Sequence, residues 1–271
     1  MHNFMCPVCR FPLNPEMNTL RCVSGHTFDI AREGYVNLIP SRSPGSLQGD
    51  SAAMVQARQA FLGRGYYQPL AEAIGVEVSA NSPQVVADIG CGEGYYLREL
   101  AHTTGMESAQ LYGTDISKVA VAAAAKHDVK SAFAVADTNV FVPLEQACVD
   151  VAMCVFAPRN AKEFARIVRK QGRLVIVIPG TEHLRNVREK FALIGIENDK
   201  ITKICEQLHD FKLLKTRKIA IPLTLNQRDL HDLINMTPNA RHVTTIARDQ
   251  IEAINELNTQ AHFEILTFTR N

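Results

Sequence analysis

Val85-Val86-Ala87-Asp88-Ile89-Gly90-Cys91-Gly92-Glu93-Gly94-Tyr95-Tyr96-Leu97 decides the fold of this 271-residue chain. An apolar β-branched run, an acidic residue, glycines at alternate positions and then helical composition predict a strand, a tight turn and a helix. Outward from it, continuous apolar runs at 111–114, 132–136, 151–155 and 174–178 alternate with helical patterns near 95–104, 117–127 and 160–169. Strands apolar on both faces belong to a parallel sheet covered by helices on each side. The expected fold class is therefore α/β, doubly wound, with a mostly parallel seven-stranded Rossmann-like sheet. Runs at 213–221 and 262–270 supply the last two strands, with helices near 199–209, 225–235 and 247–257.

The same turn carries the first chemical signal. Glycines let the chain turn tightly and let a ligand lie against bare backbone at a helix N-terminus. A dinucleotide fold spaces them G-x-G-x-x-G to seat a pyrophosphate, whereas Gly90, Gly92 and Gly94 follow G-x-G-x-G behind an acidic Asp88. That pattern suits a ligand without phosphates, whose ammonium and carboxylate meet Asp88 and backbone amides. S-adenosylmethionine is such a ligand. Asp115 ends the second strand, 21 residues past Gly94, where it can accept ribose hydroxyls, and Asp137 ends the third, within reach of the adenine amine. Helix capping is the competing use, particularly for Asp115 next to Ser117.

The N-terminus has different chemistry. Cys6-Pro7-Val8-Cys9, then Cys22 and His26, give C-x2-C-x12-C-x3-H, the spacing of a structural zinc knuckle with four protein ligands and no open coordination position. Residues 1–37 form a small zinc-binding domain whose folding is expected to depend on the metal. Pro40-Ser41-Arg42-Ser43-Pro44-Gly45-Ser46 reads as a linker. Residues 38–84 hold it and two helices, one opening on Ser51 and one from Tyr67 to about Ala80 with Pro69 in its first turn, before the main domain at 85–271.

Composition narrows the setting. No basic and apolar leader opens the sequence and no stretch suits a bilayer, so a cytoplasmic location is expected. Of the seven cysteines, three belong to the knuckle; Cys91, Cys148, Cys154 and Cys205 are scattered in apolar surroundings, as in a reducing compartment. The net charge is only +1, but residues 159–190 carry nine Arg or Lys against three Glu, either a nucleic-acid stripe or solvated helix faces.

The combination resembles the zinc-containing bacterial 23S ribosomal RNA (guanine-N1)-methyltransferases along nearly the whole chain. The resemblance rests on the knuckle, Phe28-Asp29-Ile30-Ala31-Arg32-Glu33-Gly34-Tyr35-Val36-Asn37-Leu38, Gly49-Asp50-Ser51, Tyr67-Gln68-Pro69-Leu70, Asp88 to Tyr96, Asp115-Ile116-Ser117-Lys118 and Met236-Thr237-Pro238. It implies methylation of one guanine in a domain II hairpin of 23S rRNA, by a homodimer whose knuckles help form an RNA-binding cleft. It also implies zinc on Cys6, Cys9, Cys22 and His26, and cofactor contacts from Tyr67, Tyr95, Tyr96, Leu97 and His183. Asn239 departs from the family, which has an aromatic residue there, and this bears on target-site contacts.

Methyl transfer needs chiefly alignment and exclusion of water, because a sulfonium methyl is already activated. Guanine N1 carries a proton, so an acceptor or an electrostatic partner must favour the deprotonated ring. Phe156-Ala157-Pro158-Arg159, after the fourth strand, reads as a wall and stacking face, with Arg159 placed to stabilise negative charge on the base. His183 is the nearby imidazole, a cofactor contact first and a proton acceptor second. Cys91 and Cys154 read as small core residues, since nitrogen methylation needs no covalent adduct. Tyr66, Tyr67, Tyr95 and Tyr96 are candidate stacking surfaces. Arg10, Arg21 and Arg32, with the basic stripe, are the phosphate candidates. The alternative is a methyltransferase of protein or small molecules, with the knuckle as a docking module.

Overall fold

The computed structural model describes residues 4–40, 49–191, 193–197, 199–237 and 245–271. The linker from Ser41 onward, and Pro238 and Asn239, lie outside them. Three short strands, β1 (Leu13–Glu16), β2 (Thr19–Cys22) and β3 (Thr27–Asp29), make an antiparallel N-terminal sheet. There follow β4 (Val36–Asn37), α1 (Ala52–Gly63), α2 (Gln68–Ser79), β5 (Val85–Ile89), α3 (Tyr95–Leu100), β6 (Gln110–Asp115), α4 (Lys118–His127) and β7 (Ala132–Val135). The second half contains β8 (Val149–Val155), α5 (Ala161–Ile167), β9 (Val168–Pro179), α6 (Arg185–Lys190), α7 (Lys200–Gln207), β10 (Phe211–Asn226), α8 (Gln227–Asn235), α9 (Thr245–Glu252) and β11 (Glu256–Arg270).

The main sheet runs β10-β11-β9-β8-β5-β6-β7-β4, with β11 antiparallel to both of its neighbours. Pairings from β9 to β4 are parallel. The strand order reverses at β5, which pairs with β6 on one side and β8 on the other, so a ligand crevice opens at the carboxyl end of β5. The expected seven strands become eight because Val36 and Asn37 pair with Ala134 and Val135 at the edge. Two residues show no periodicity, so no sequence run marked this strand.

Alternation along the strands divides the core between two faces. On β8, Val151, Met153 and Val155 point into a layer with α1, α2, α3 and α8, while Ala152 and Cys154 point into the opposite layer. Phe4, Cys6, Leu13, Leu20 and Cys22 of the zinc knuckle are buried in that second layer, with Ala87, Tyr112 and Leu144. Arg10 lays its guanidinium 3.4 Å from the centroid of the Phe141 ring, and the Met5 amide donates to the Pro143 carbonyl at 3.0 Å. The knuckle therefore shares its apolar core with the sheet. Apolar docking thus adds to the expected dependence of this domain on its metal.

Helix starts follow local chemistry. Ser51 caps α1 by accepting from the Met54 amide, Ser117 caps α4 from Ala120, and Asn226 with Asp229 forms a reciprocal capping box on α8. Pro69 sits in the first turn of α2, where no intrahelical donor is lost. Among the described residues no helix is long and apolar enough to cross a membrane.

Candidate active site and metal centre

At the end of β5 the chain leaves the sheet through two bonds to one acceptor. The Gly90 and Cys91 amides donate to the Thr114 carbonyl of β6 at 2.8 and 2.9 Å, which turns the backbone across the strand ends. Gly90 has φ of 85°, and a Cβ there would sit 2.3 Å from that of Ala157, so only glycine fits. Gly94, at φ of 80°, lets the start of α3 approach Ala124 of α4, where an added Cβ would come within 2.9 Å.

Acidic groups face this turn as the strand pattern predicts. Asp88 is 1% exposed, and its Oδ1 is buried without a hydrogen-bond partner. Burial, and next the charge of Asp115, push its carboxyl up to about 8. An orphaned carboxylate oxygen at the floor of a glycine turn fits an incoming ammonium group. Asp115 is held by two amides, Ser117 to Oδ1 at 2.8 Å and Gly92 to Oδ2 at 2.9 Å. Its carboxyl is raised mainly by burial, against those two hydrogen bonds. Asp137 lies two residues past the end of β7, half-buried, accepting from the Asn139 amide at 3.1 Å.

An aromatic wall stands beside the turn. Tyr67 is buried between Phe61 and Phe263, with edge contacts at 5.2 and 4.9 Å between ring centroids. Tyr95 donates its hydroxyl to Gln68 Oε1 at 3.1 Å, and Tyr96 meets Phe156 at 6.3 Å. Phe156 is 43% exposed and left-handed at φ of 55°, an unfavourable backbone for a phenylalanine, which aims its ring outward at the mouth of the crevice. Phe263 contacts Phe156 at 5.4 Å and His183 at 4.8 Å. Phe263 lies on β11, antiparallel to β9 and within the 262–270 run expected as a strand, but nothing in that run marked it as a neighbour of the site. Leu97 is fully buried in the core, leaving only its backbone for a ligand. Tyr66 is committed elsewhere, donating to Asp229 at 2.8 Å and stacked on Phe61.

His183 accepts the His262 amide on Nδ1 at 3.2 Å, and burial pushes its pKa down to about 3. With Nδ1 occupied as an acceptor, the neutral ring carries its proton on Nε2. Burial likewise pushes Cys154 up to about 12 and raises Cys91 well above its ordinary range, so both are thiols.

The arginines of the basic stripe are largely paired within the chain, though none of its basic residues is buried. Arg166 pairs with Glu163 and donates to the Val142 and Leu144 carbonyls, Arg169 pairs with Asp150, and Arg173 caps the end of α2 through the Glu77 and Val78 carbonyls. Arg185 pairs with Glu182 and Glu189, and Arg188 donates to the carbonyls of Thr181 and His183. Arg159 differs, with a buried Nε that has no hydrogen-bond partner beside the exposed Phe156 and Pro158. On the knuckle, Arg21 and Arg32 make exposed pairs at 3.5 Å with Glu16 and Glu33.

Cys6, Cys9, Cys22 and His26 bring their ligand atoms within 4.8 Å of one another. Cys22 Sγ stands 3.3 Å and Cys6 Sγ 3.7 Å from His26 Nδ1, with Cys9 and Cys22 sulfurs 3.5 Å apart. Bond lengths to tetrahedral zinc put such atoms about 3.6–3.8 Å apart. The donor set fits structural zinc.

Comparison with known proteins agrees with both centres. The family described as "RlmA, N-terminal" matches residues 4–46, and the one described as "Methyltransferase domain" matches residues 87–176. A 23S rRNA (guanine(748)-N(1))-methyltransferase of Streptomyces fradiae is 37% identical over 242 residues, covering 88% of this chain and 85% of that protein. A Micromonospora griseorubida protein provisionally named as a 23S rRNA (guanine-N(1)-)-methyltransferase is 34% identical, covering 88% of this chain and 86% of its own. Among solved structures, a SAM-dependent methyltransferase from Thiobacillus denitrificans in complex with S-adenosyl-L-homocysteine superposes with a TM-score of 0.51 at 14% identity, over 82% of this chain and all of that one, a likeness of fold. S-adenosylmethionine is thus the cofactor and structural zinc the metal. With a zinc ribbon docked on a methyltransferase sheet and such identity along most of its length, the chain belongs to the 23S rRNA (guanine-N1)-methyltransferase family.

Proposed function

We propose that this chain transfers a methyl group from S-adenosylmethionine to N1 of one guanine in a domain II hairpin of 23S rRNA, in the cytoplasm and as a homodimer. The observation that carries the chemistry is the unpartnered, buried carboxylate oxygen of Asp88 beneath a glycine turn whose next strand ends in Asp115. The acceptor rests on the relatives. Residues 1–37 serve RNA recognition, 38–84 are a linker and helical segment, and 85–271 carry the reaction.

The cofactor, when bound, supplies a methyl group activated by its sulfonium. The chain's work is alignment. Asp88 holds the ammonium, Asp115 accepts ribose hydroxyls and Asp137 reaches the adenine amine. Backbone at Gly90, Gly92, Gly94 and Leu97, with Tyr67, Tyr95 and Tyr96, completes the enclosure and excludes water. His183 contacts the cofactor as an Nε2 donor; its depressed basicity disfavours a proton-acceptor role. A guanine must leave its stack before N1 is reachable, and the exposed Phe156 ring supports a stacking platform for it. Arg159 beside that ring is suited to favour negative charge on the base as N1 loses its proton.

Incubation with methyl-labelled S-adenosylmethionine and, separately, large-subunit RNA, total protein and a small-molecule extract tests the acceptor class. Label in RNA alone is expected. Label in protein or the extract, with none in RNA, refutes the proposal in favour of the knuckle as a docking module for another acceptor.

A further inference from the structure

Arg58 stands over the glycine turn and is absent from the candidate site residues read from the sequence. Its Nη1 lies 3.1 Å from where a Cβ on Gly92 would be, so the guanidinium rests on the middle of the turn. The same nitrogen pairs with Asp50, and Nη2 donates to the Met236 carbonyl at 2.6 Å. Three segments distant in sequence thus meet on one planar cation: residues 49–51, α1 and the end of α8.

Asp50 continues the chain of contacts into the cofactor pocket. Its carbonyl accepts from Ser117 Oγ at 2.7 Å, and Gly49 packs so closely that an added Cβ would lie 2.6 Å from that of Ser117. The Ser117 amide in turn fixes Oδ1 of Asp115, while the Gly92 amide fixes Oδ2. A path of direct contacts therefore runs from the Met236 carbonyl through Arg58, Asp50 and Ser117 to Asp115 and back to Gly92. The charge of Asp50 acts to raise the Asp115 carboxyl and that of Arg58 to lower it, so the guanidinium offsets a second carboxylate beside the ribose-binding one.

We propose that Arg58 is a positioning residue: a clasp that holds residues 49–51 and the Met236 end of α8 over the glycine turn and so fixes Asp115 for the cofactor's ribose. The proposal rests on the methyltransferase reading. It takes a planar fork with two separated donors, which a lysine ammonium cannot replace in both directions at once.

Calorimetric titration of the full-length, zinc-loaded protein with S-adenosylhomocysteine tests it, alongside Tm and steady-state kinetics. Arg58→Lys is expected to weaken binding about tenfold and to raise KM for S-adenosylmethionine in proportion, a size in keeping with breaking one hydrogen-bonded charge pair. Asp50→Asn, which disturbs the clasp from its other side, is expected to weaken binding in the same sense and serves if Arg58→Lys does not fold. Arg64 provides the structural control. It joins the end of α1 to α8 through Asp229 at 2.8 Å and Asp232 at 2.7 Å, six residues beyond Arg58 in the chain. Arg64→Lys should lower Tm while leaving affinity within about twofold. Unchanged affinity in folded Arg58→Lys or Asp50→Asn overturns the clasp, as does an Arg64→Lys loss of affinity equal to that of Arg58→Lys, which would reduce Arg58 to helix packing. Failure of the wild-type protein to bind S-adenosylhomocysteine would instead refute the cofactor reading.

Discussion

Asp88 is protonated near neutrality when its site holds no cation, because burial and Asp115 push its carboxyl up to about 8. An unfolded aspartate ionises near 3.9, so between roughly pH 4 and 8 the native state carries one proton more than the unfolded chain from this group. Its contribution to stability therefore falls as pH rises, by up to about 1.4 kcal/mol per pH unit within that window. A docked ammonium reverses the preference. Binding of S-adenosylhomocysteine at pH 7 is expected to release a proton, read as a dependence of the calorimetric enthalpy on the ionisation enthalpy of the buffer. Asp88→Asn should abolish that dependence and weaken binding by at least tenfold. Buffer-independent heat in the wild-type protein would show that Asp88 does not meet the ammonium. Much of this residue scale was legible in the sequence, because Asp88, Gly90, Gly92, Gly94 and Asp115 stand at fixed offsets from a strand end. The Arg58 clasp was not, since its carbonyl partner lies 178 positions away and only folding brings them together.

At the scale of elements, the turn after β8 is where strain and exposure coincide. Phe156 keeps its left-handed backbone because its amide is tied to the Val177 carbonyl at 3.1 Å and because Ala157 fills the space against Gly90. A ring so held offers a preorganised face at little further entropic cost. Phe156→Ala is expected to reduce kcat/KM for RNA about 5- to 150-fold, the range of one lost base-stacking contact. Phe156→Tyr should retain most activity, and S-adenosylhomocysteine affinity should move less than about twofold in both. Equal loss of cofactor affinity in Phe156→Ala would assign the ring to the cofactor pocket instead. The sequence marked this turn as a wall but carried no sign of its backbone conformation. Strands β5 to β9 were legible as continuous apolar runs, whereas α3 ends at Leu100 rather than near 104 and α6, which starts after a left-handed Leu184, had no helical pattern to announce it.

On the scale of the whole molecule, metal and sheet are joined by a shared core. Phe4, Leu13 and Leu20 are buried against the same layer as Ala87 and Tyr112, and β4 carries the chain from the knuckle directly into the main sheet. Ligand spacing made the zinc site legible, but docking was invisible because it depends on apolar residues that a small ribbon would bury in any case. Chelation should therefore lower Tm and expose the knuckle, yet leave S-adenosylhomocysteine binding within a few-fold and sheet circular dichroism largely intact, while RNA affinity falls. Complete unfolding on chelation would mean that the sheet cannot stand without the metal. The central claim, that the crevice at the end of β5 methylates guanine N1 in 23S rRNA, meets its most direct test in nucleoside mass spectrometry of that RNA after reaction with the pure enzyme and deuteromethyl-labelled cofactor. The account predicts one equivalent of labelled N1-methylguanosine from a single domain II hairpin position; label on another base, on another guanine atom or in no nucleoside at all would contradict it.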